Sequence, residues 1–175
     1  MIPQAFLEAL SSAGPSPELA DADNIFNFLI GSWEIEAILY GTNGVQKTRG
    51  EVHACWVLEG RAIQDLFIFP RRIDQQAGVP TQGDRYATSI RTYDRSCKAW
   101  RVNFINPAAD ETSAQLIARR NGKGIAMEGN LADGTPIRWR YEEITAVSFR
   151  YSAERVKPQD DSWQLYLELF GKRMA

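Results

Sequence analysis

From Trp33 onward, apolar positions fall on alternate residues. Trp33, Ile35, Ala37 and Leu39 alternate with Glu34 and Glu36, the period of a strand with one buried face. Upstream the spacing is helical. Phe6, Leu7 and Leu10 share one face before "GPSP" stops the segment, and Leu19, Ile25, Phe26 and Leu29 suggest a second helix over 18–29. Downstream, strands are predicted over 32–40, 46–58, 61–69, 84–93, 98–106, 112–120, 125–131, 135–144, 147–156 and 163–170. They are divided by turn-rich segments such as "GTNG", "EG", "DRSC", "NGKG" and "ADG".

No connection is long enough for a crossover helix, so the strands pair antiparallel. Ten consecutive strands in an open sheet would leave bare edges. The expectation is an all-β protein, a closed up-and-down antiparallel barrel of about ten strands. Residues 1–30 form N-terminal helices capping one end, residues 32–170 form the barrel, and 1–175 is one domain. Turn chemistry tests this. A tight turn at Glu59-Gly60 pairs Trp56 with Ile63, Ala54 with Asp65 and Val52 with Phe67. A four-residue "DRSC" loop pairs Arg91 with Trp100, Ser89 with Val102 and Ala87 with Phe104. A three-residue "ADG" loop pairs Met127 with Trp139 and Ile125 with Tyr141. Each hairpin matches apolar face to apolar face.

Strand direction sorts the loops. "EG", "DRSC", "NGKG" and the Thr145-Ala146 corner gather at the capped end. "GTNG", "PRRIDQQAGVPTQG", "NPAADE", "ADG" and "KPQDDS" gather at the other. The fourteen-residue loop from Pro70 to Gly83 marks the mouth of a pocket.

Composition narrows the choice. Twenty-two acidic against twenty basic residues give a net charge of −2, no field for nucleic acid or an anionic membrane surface. Two cysteines, Cys55 and Cys97, suggest a reducing compartment. A lone histidine, His53, argues against zinc, and no apolar run reaches membrane-spanning length. The N-terminus lacks a basic leader, and a cytoplasmic protein is expected. Nucleophile elbow, phosphate loop and dinucleotide fingerprint are all missing.

Two charges fall on inferred inward faces. Asp65 sits among Ile63, Phe67 and Phe69, and Arg91 beside Ala87 and Ser89. A buried charge is costly alone, so the two are expected to pair, either as a structural ion pair or as a polar anchor for a small molecule. Trp56, Phe67, Trp100, Phe104, Trp139 and Tyr141 line a pocket or fill a core. A ten-stranded barrel encloses more volume than side chains readily fill, which favours the pocket. The eight residues Trp56, Asp65, Phe67, Arg91, Trp100, Phe104, Trp139 and Tyr141 are thus the candidate ligand contacts, with no catalytic residue, metal or cofactor assigned.

The entry "FLIGSWE", a helical turn followed by Gly-x-Trp, resembles the lipocalin and wider calycin pattern. There the Trp closes one end of a barrel, often under a basic side chain from the last strand, a place Lys172 or Arg173 can fill. Ten strands resemble the fatty-acid-binding or nitrobindin-like branch. However, "GTNG" has no room for the helical lid of the former, and no histidine follows His53 for the haem of the latter. With "EGRAIQD", "SIRTYD" and a C-terminal Trp-containing strand, the chain also looks like uncharacterised bacterial lipocalin-like proteins. The resemblance implies a barrel that binds a small, apolar or amphipathic molecule. Alternatives are an isomerase, cyclase or dehydratase working in the cavity with Asp65 or a tyrosine, and a homodimeric scaffold joined through outward Leu66, Ile68 and Phe170.

Overall fold

The structure, a computed structural model, describes residues 3–75, 85–108 and 112–175. The chain opens with α1 (Gln4–Leu10) and a two-residue strand β1 (Ser11–Ser12). Ten strands follow: β2 (Gly31–Gly41), β3 (Gly44–Val57), β4 (Ala62–Phe69), β5 (Arg85–Asp94), β6 (Ala99–Ile105), β7 (Ala114–Asn121), β8 (Gly124–Leu131), β9 (Pro136–Glu142), β10 (Ser148–Val156) and β11 (Trp163–Arg173). Each pairs antiparallel with its chain neighbour. The β2–β11 and β3–β4 pairings close the ring, so the ten strands form an up-and-down barrel without bare long edges. β1 lies on the end of β3, pairing Ser11 with Val57 and Ser12 with Trp56.

The helical reading of 18–29 is corrected. That segment holds two single 3-10 turns, Asp21–Asp23 and Asn27–Leu29. Asp21, Asp23 and Asn24 are poor helix formers, because their side chains compete for nearby backbone groups. The turns drop Phe26 and Leu29 into the barrel end, both fully buried. α1 buries none of its residues; its Phe6 and Leu7 are exposed. It is the single short helix at this end, tied there by Leu58 N–H donating to the Leu10 carbonyl at 3.1 Å.

Trp33 completes the plug. Its indole N–H donates to the Leu29 carbonyl at 2.8 Å, and its ring meets Phe149 edge-on with centroids 4.9 Å apart. Arg173, from the last strand, lays its guanidinium 4.2 Å from the Trp33 ring centroid. It also donates to the carbonyls of Phe28, Ile30 and Ala146. Gly31 sits at φ +119°, and a Cβ there would stand 2.6 Å from an Arg173 nitrogen. Glycine at this position is what lets the cation reach over the indole.

The registers of two hairpins are as the turns predict: Trp56 opposite Ile63, Ala54 opposite Asp65, and Met127 opposite Trp139. The β5–β6 register differs by two residues. Arg91 faces Val102, Ser89 faces Phe104, and Tyr93 faces Trp100. Asp94 accepts from the Ser96 N–H at 2.9 Å and from its hydroxyl at 2.6 Å, which keeps Asp94 paired with Ala99 and moves the loop to residues 95–98. The inward faces survive because the slip is an even number. Cys55 and Cys97 are free and exposed.

Candidate functional site

The closed end is filled and the other end is hollow. A cavity of about 470 Å³ runs down the barrel from the end where β2 meets β3 and β10 meets β11. Apolar side chains of β2, β4, β6 and β11 line much of it, including Leu39, Phe67, Phe104 and Leu169. Polar groups enter from β5, β9, β10 and β11: Ser89, Arg91, Tyr141, Tyr151, Arg155 and Tyr166.

Arg91 stands deepest among the charges, 2% exposed. Its Nη1 donates to Asp65 Oδ2 at 2.5 Å, and Asp65 Oδ1 accepts from the Ser89 N–H at 2.8 Å. Both carboxylate oxygens are thereby engaged, and Asp65 itself is fully buried. The guanidinium carbon lies 5.1 Å from the Phe26 ring centroid, so the plug supports the cation from below. Its Nε, however, is buried without a hydrogen-bond partner. Burial works against the charge, but Asp65 and the neighbouring phenols outweigh it and hold the Arg91 pKa above its ordinary value. Burial pushes the phenols of Tyr141 and Tyr151 upward too. At neutral pH the cavity floor is therefore one fixed cation with two neutral hydroxyls, a donor-rich surface in an apolar tube.

Of the residues expected at the site, Phe67, Arg91, Phe104, Trp139 and Tyr141 line this cavity. Trp56, Trp100 and Asp65 do not. Trp100 belongs to the plug. It packs edge-on against Phe26 with centroids 5.5 Å apart, and donates its indole N–H to the Asp23 carbonyl at 2.7 Å. Trp56 lies against it, centroids 6.5 Å apart. The two-residue register slip of β5–β6 accounts for Trp100: it faces Tyr93 near the turn instead of Arg91. Asp65 stands behind the lining and reaches the cavity only through Arg91.

Tyr151, Tyr166 and Arg155 are lining residues the sequence reading passed over. Tyr151 and Arg155 continue the odd-numbered alternation of Phe149 and Ala153, a signal present in "FRYSAER". Tyr166 has no such signal. The β10–β11 ladder shifts between Ala153 and Glu154, leaving Tyr166 as the extra residue of a bulge. It accepts the Trp139 indole N–H at 2.7 Å.

Of the long loop, residues 70–75 are described. Arg71 ion-pairs with Glu34 and Asp74, and Arg72 with Glu51, pinning the loop's start to the outside of β2 and β3. The rest of the loop expected to mark the mouth, 76–83, lies outside the described residues. His53 faces outward between Ser32 Oγ (2.9 Å) and Glu51 Oε2 (3.2 Å). Of the outward trio, Leu66 and Phe170 are exposed, whereas Ile68 is buried. Among the described residues, no cluster of histidine, cysteine and carboxylate side chains could hold a metal, and no helix is long and apolar enough to cross a membrane.

These features define a closed antiparallel β-barrel with a plugged end and a polar-floored cavity. The barrel fold is similar to that of several solved structures. The crystal structure of Rv2717c from M. tuberculosis superposes with a TM-score of 0.60 at 16% identity, over 90% of this chain and all of that one. The S-type phycobiliprotein lyase CPES from Guillardia theta gives a TM-score of 0.56 at 7% identity, over 89% of this chain and 94% of that one. At these identities the likeness is one of fold. No protein-family model and no curated protein matches the chain.

Proposed function

We propose that this protein binds a small, largely apolar molecule inside the barrel, with a hydrogen-bond acceptor of that molecule seated on Arg91. One observation carries the reading: a buried guanidinium, held by Asp65, lines the floor of a largely apolar cavity as a fixed cation. A hydrogen bond from such a charged donor to a ligand acceptor is about twice as strong as a neutral one. The volume suits a ligand of ordinary metabolite or fatty-chain size. One structural neighbour is named as a lyase, but the described residues of this cavity favour binding over turnover. Asp65 has no free oxygen toward the cavity, and the raised phenols of Tyr141 and Tyr151 are donors, not bases, at neutral pH. Asp65 is a positioning residue for Arg91.

The test is direct titration with hexadecanoic acid and hexadecanol, following the quenching of tryptophan emission. The acid should bind tighter by about tenfold, the worth of one charge-assisted hydrogen bond. Arg91→Met should erase the difference while the protein keeps its far-ultraviolet dichroism. No saturable binding of either compound would refute the proposal.

A further inference from the structure

The charges lining the cavity are all of one sign. Among the described residues, Arg91, Arg155 and Lys47 line it, and no aspartate or glutamate does, although the protein as a whole carries net negative charge. Arg155 is the informative one. On the neighbouring strand β9, Arg138 and Arg140 both ion-pair with Glu154, at 2.6 and 2.8 Å. Arg155 is one residue further along β10, on the same face as lining Tyr151, and takes part in no salt bridge among the described residues, Asp133 acting on it only through a longer-range attraction. Its guanidinium carbon instead lies 5.6 Å from the Tyr166 ring centroid. The bulge that turns Tyr166 into the cavity thus also provides the surface on which Arg155 rests.

The strand registers place the two arginines relative to one another. Arg91 pairs with Val102, Val102 with Leu116, Leu116 with Gly129, Gly129 with Ile137, and Ile137 with Arg155. These are five steps around a ring of ten strands, so Arg91 and Arg155 stand on different walls of the barrel. Strands of a closed barrel are tilted, so a path along the hydrogen bonds also climbs. Five spacings of about 4.8 Å at a tilt of about 40° rise roughly 15 Å along the axis. One arginine is buried at the floor and the other is exposed at the mouth.

Building on the binding role above, the geometry points to an elongated amphiphile with two acidic ends as the ligand: one acceptor on the Arg91 floor, a second, anionic group on Arg155 at the rim, and an apolar body between. Lys47, exposed on the rim, adds to the field that draws such a molecule in. The contact at Arg155 is in reach of water and so is weaker than that at Arg91.

Hexadecanedioic acid and its monomethyl ester separate this from simple fatty-chain binding, because they share one skeleton and differ by one charge. The expected result is a three- to tenfold preference for the diacid in low salt. Arg155→Gln should bring that ratio near one, and Arg155→Lys should keep most of it. Equal affinities in the unaltered protein, or a preference that persists in Arg155→Gln, would overturn the two-ended ligand while leaving the Arg91 site standing. Failure of both compounds to bind would overturn both.

Discussion

Asp65 and Arg91 show what a single buried pair demands of a fold. Every oxygen of the carboxylate is used, and one nitrogen of the guanidinium is left over. Removing the carboxylate strands a cation in the barrel, which typically costs about 3–5 kcal/mol. Asp65→Ala should therefore lower stability by about that amount in urea unfolding. The double variant Asp65→Ala/Arg91→Met should recover most of it, since neither charge remains. A second residue-scale case is Glu51 on the barrel's outer wall. Hydrogen bonds from Arg72, aided by His53, outweigh its burial and hold its pKa near about 2, against an ordinary 4.5. A carboxyl depressed in the folded state adds stability that is complete above its unfolded pKa. That stability is lost as pH falls from about 4.5 toward 2. Urea midpoints of the protein and of Glu51→Gln, measured at successive pH values, should differ at neutral pH and converge across that window.

At the level of strands and turns, the hairpin partners became legible wherever the turn residues and the alternation agreed. Val52, Ala54 and Trp56 found Phe67, Asp65 and Ile63, and Met127 found Trp139, because an inward mismatch would have put polar side chains in the core. The "DRSC" turn was misread by two residues, since pairing at Asp94 depends on a side-chain hydrogen bond to Ser96 that no periodicity reveals. The second helix failed for a similar reason: the spacing of Ile25, Phe26 and Leu29 fits one turn as well as three. The Tyr166 bulge was hidden altogether, because an extra residue shows only against the partner strand. These local devices decide which side chains line the cavity, since they leave Trp100 out of it and bring Tyr166 in. Glycines carry comparable information. A Cβ on Gly129 would stand 1.9 Å from the Gln115 carbonyl oxygen, a contact between backbones that no side chain can relieve by moving. Gly129→Ala should force β7 and β8 apart, at or beyond the upper end of the roughly 1–3 kcal/mol usual for overpacking. Loss of amide-exchange protection confined first to 114–131 would confirm where the strain acts.

Across the whole barrel, stability and binding are segregated along the axis. The plug of Phe26, Leu29, Trp33 and Trp100 is fully packed, with Arg173 tying the last strand back over the entry of the first. The cavity end carries half-exposed aromatics such as Phe67 and Phe104, whose rings touch edge-on with centroids 6.2 Å apart. A large-to-small change in the plug opens a void that dense neighbours cannot close, and Trp100→Ala should cost about 3–5 kcal/mol. It also leaves the Asp23 carbonyl without its donor. The same truncation at Phe104 enlarges a space that already exists. Its cost should fall below the roughly 3 kcal/mol lower bound for a buried aromatic. The two variants therefore part in opposite directions. Trp100→Ala should shift the denaturant midpoint strongly and leave the preference among ligand sizes unchanged. Phe104→Ala should shift the midpoint little and admit bulkier ligands, read as a gain in affinity for a branched or ring-bearing acid over a straight one. Equal loss of stability from both would mean that the two ends of the barrel are not energetically distinct, and that the hollow is as much a part of the folding core as the plug.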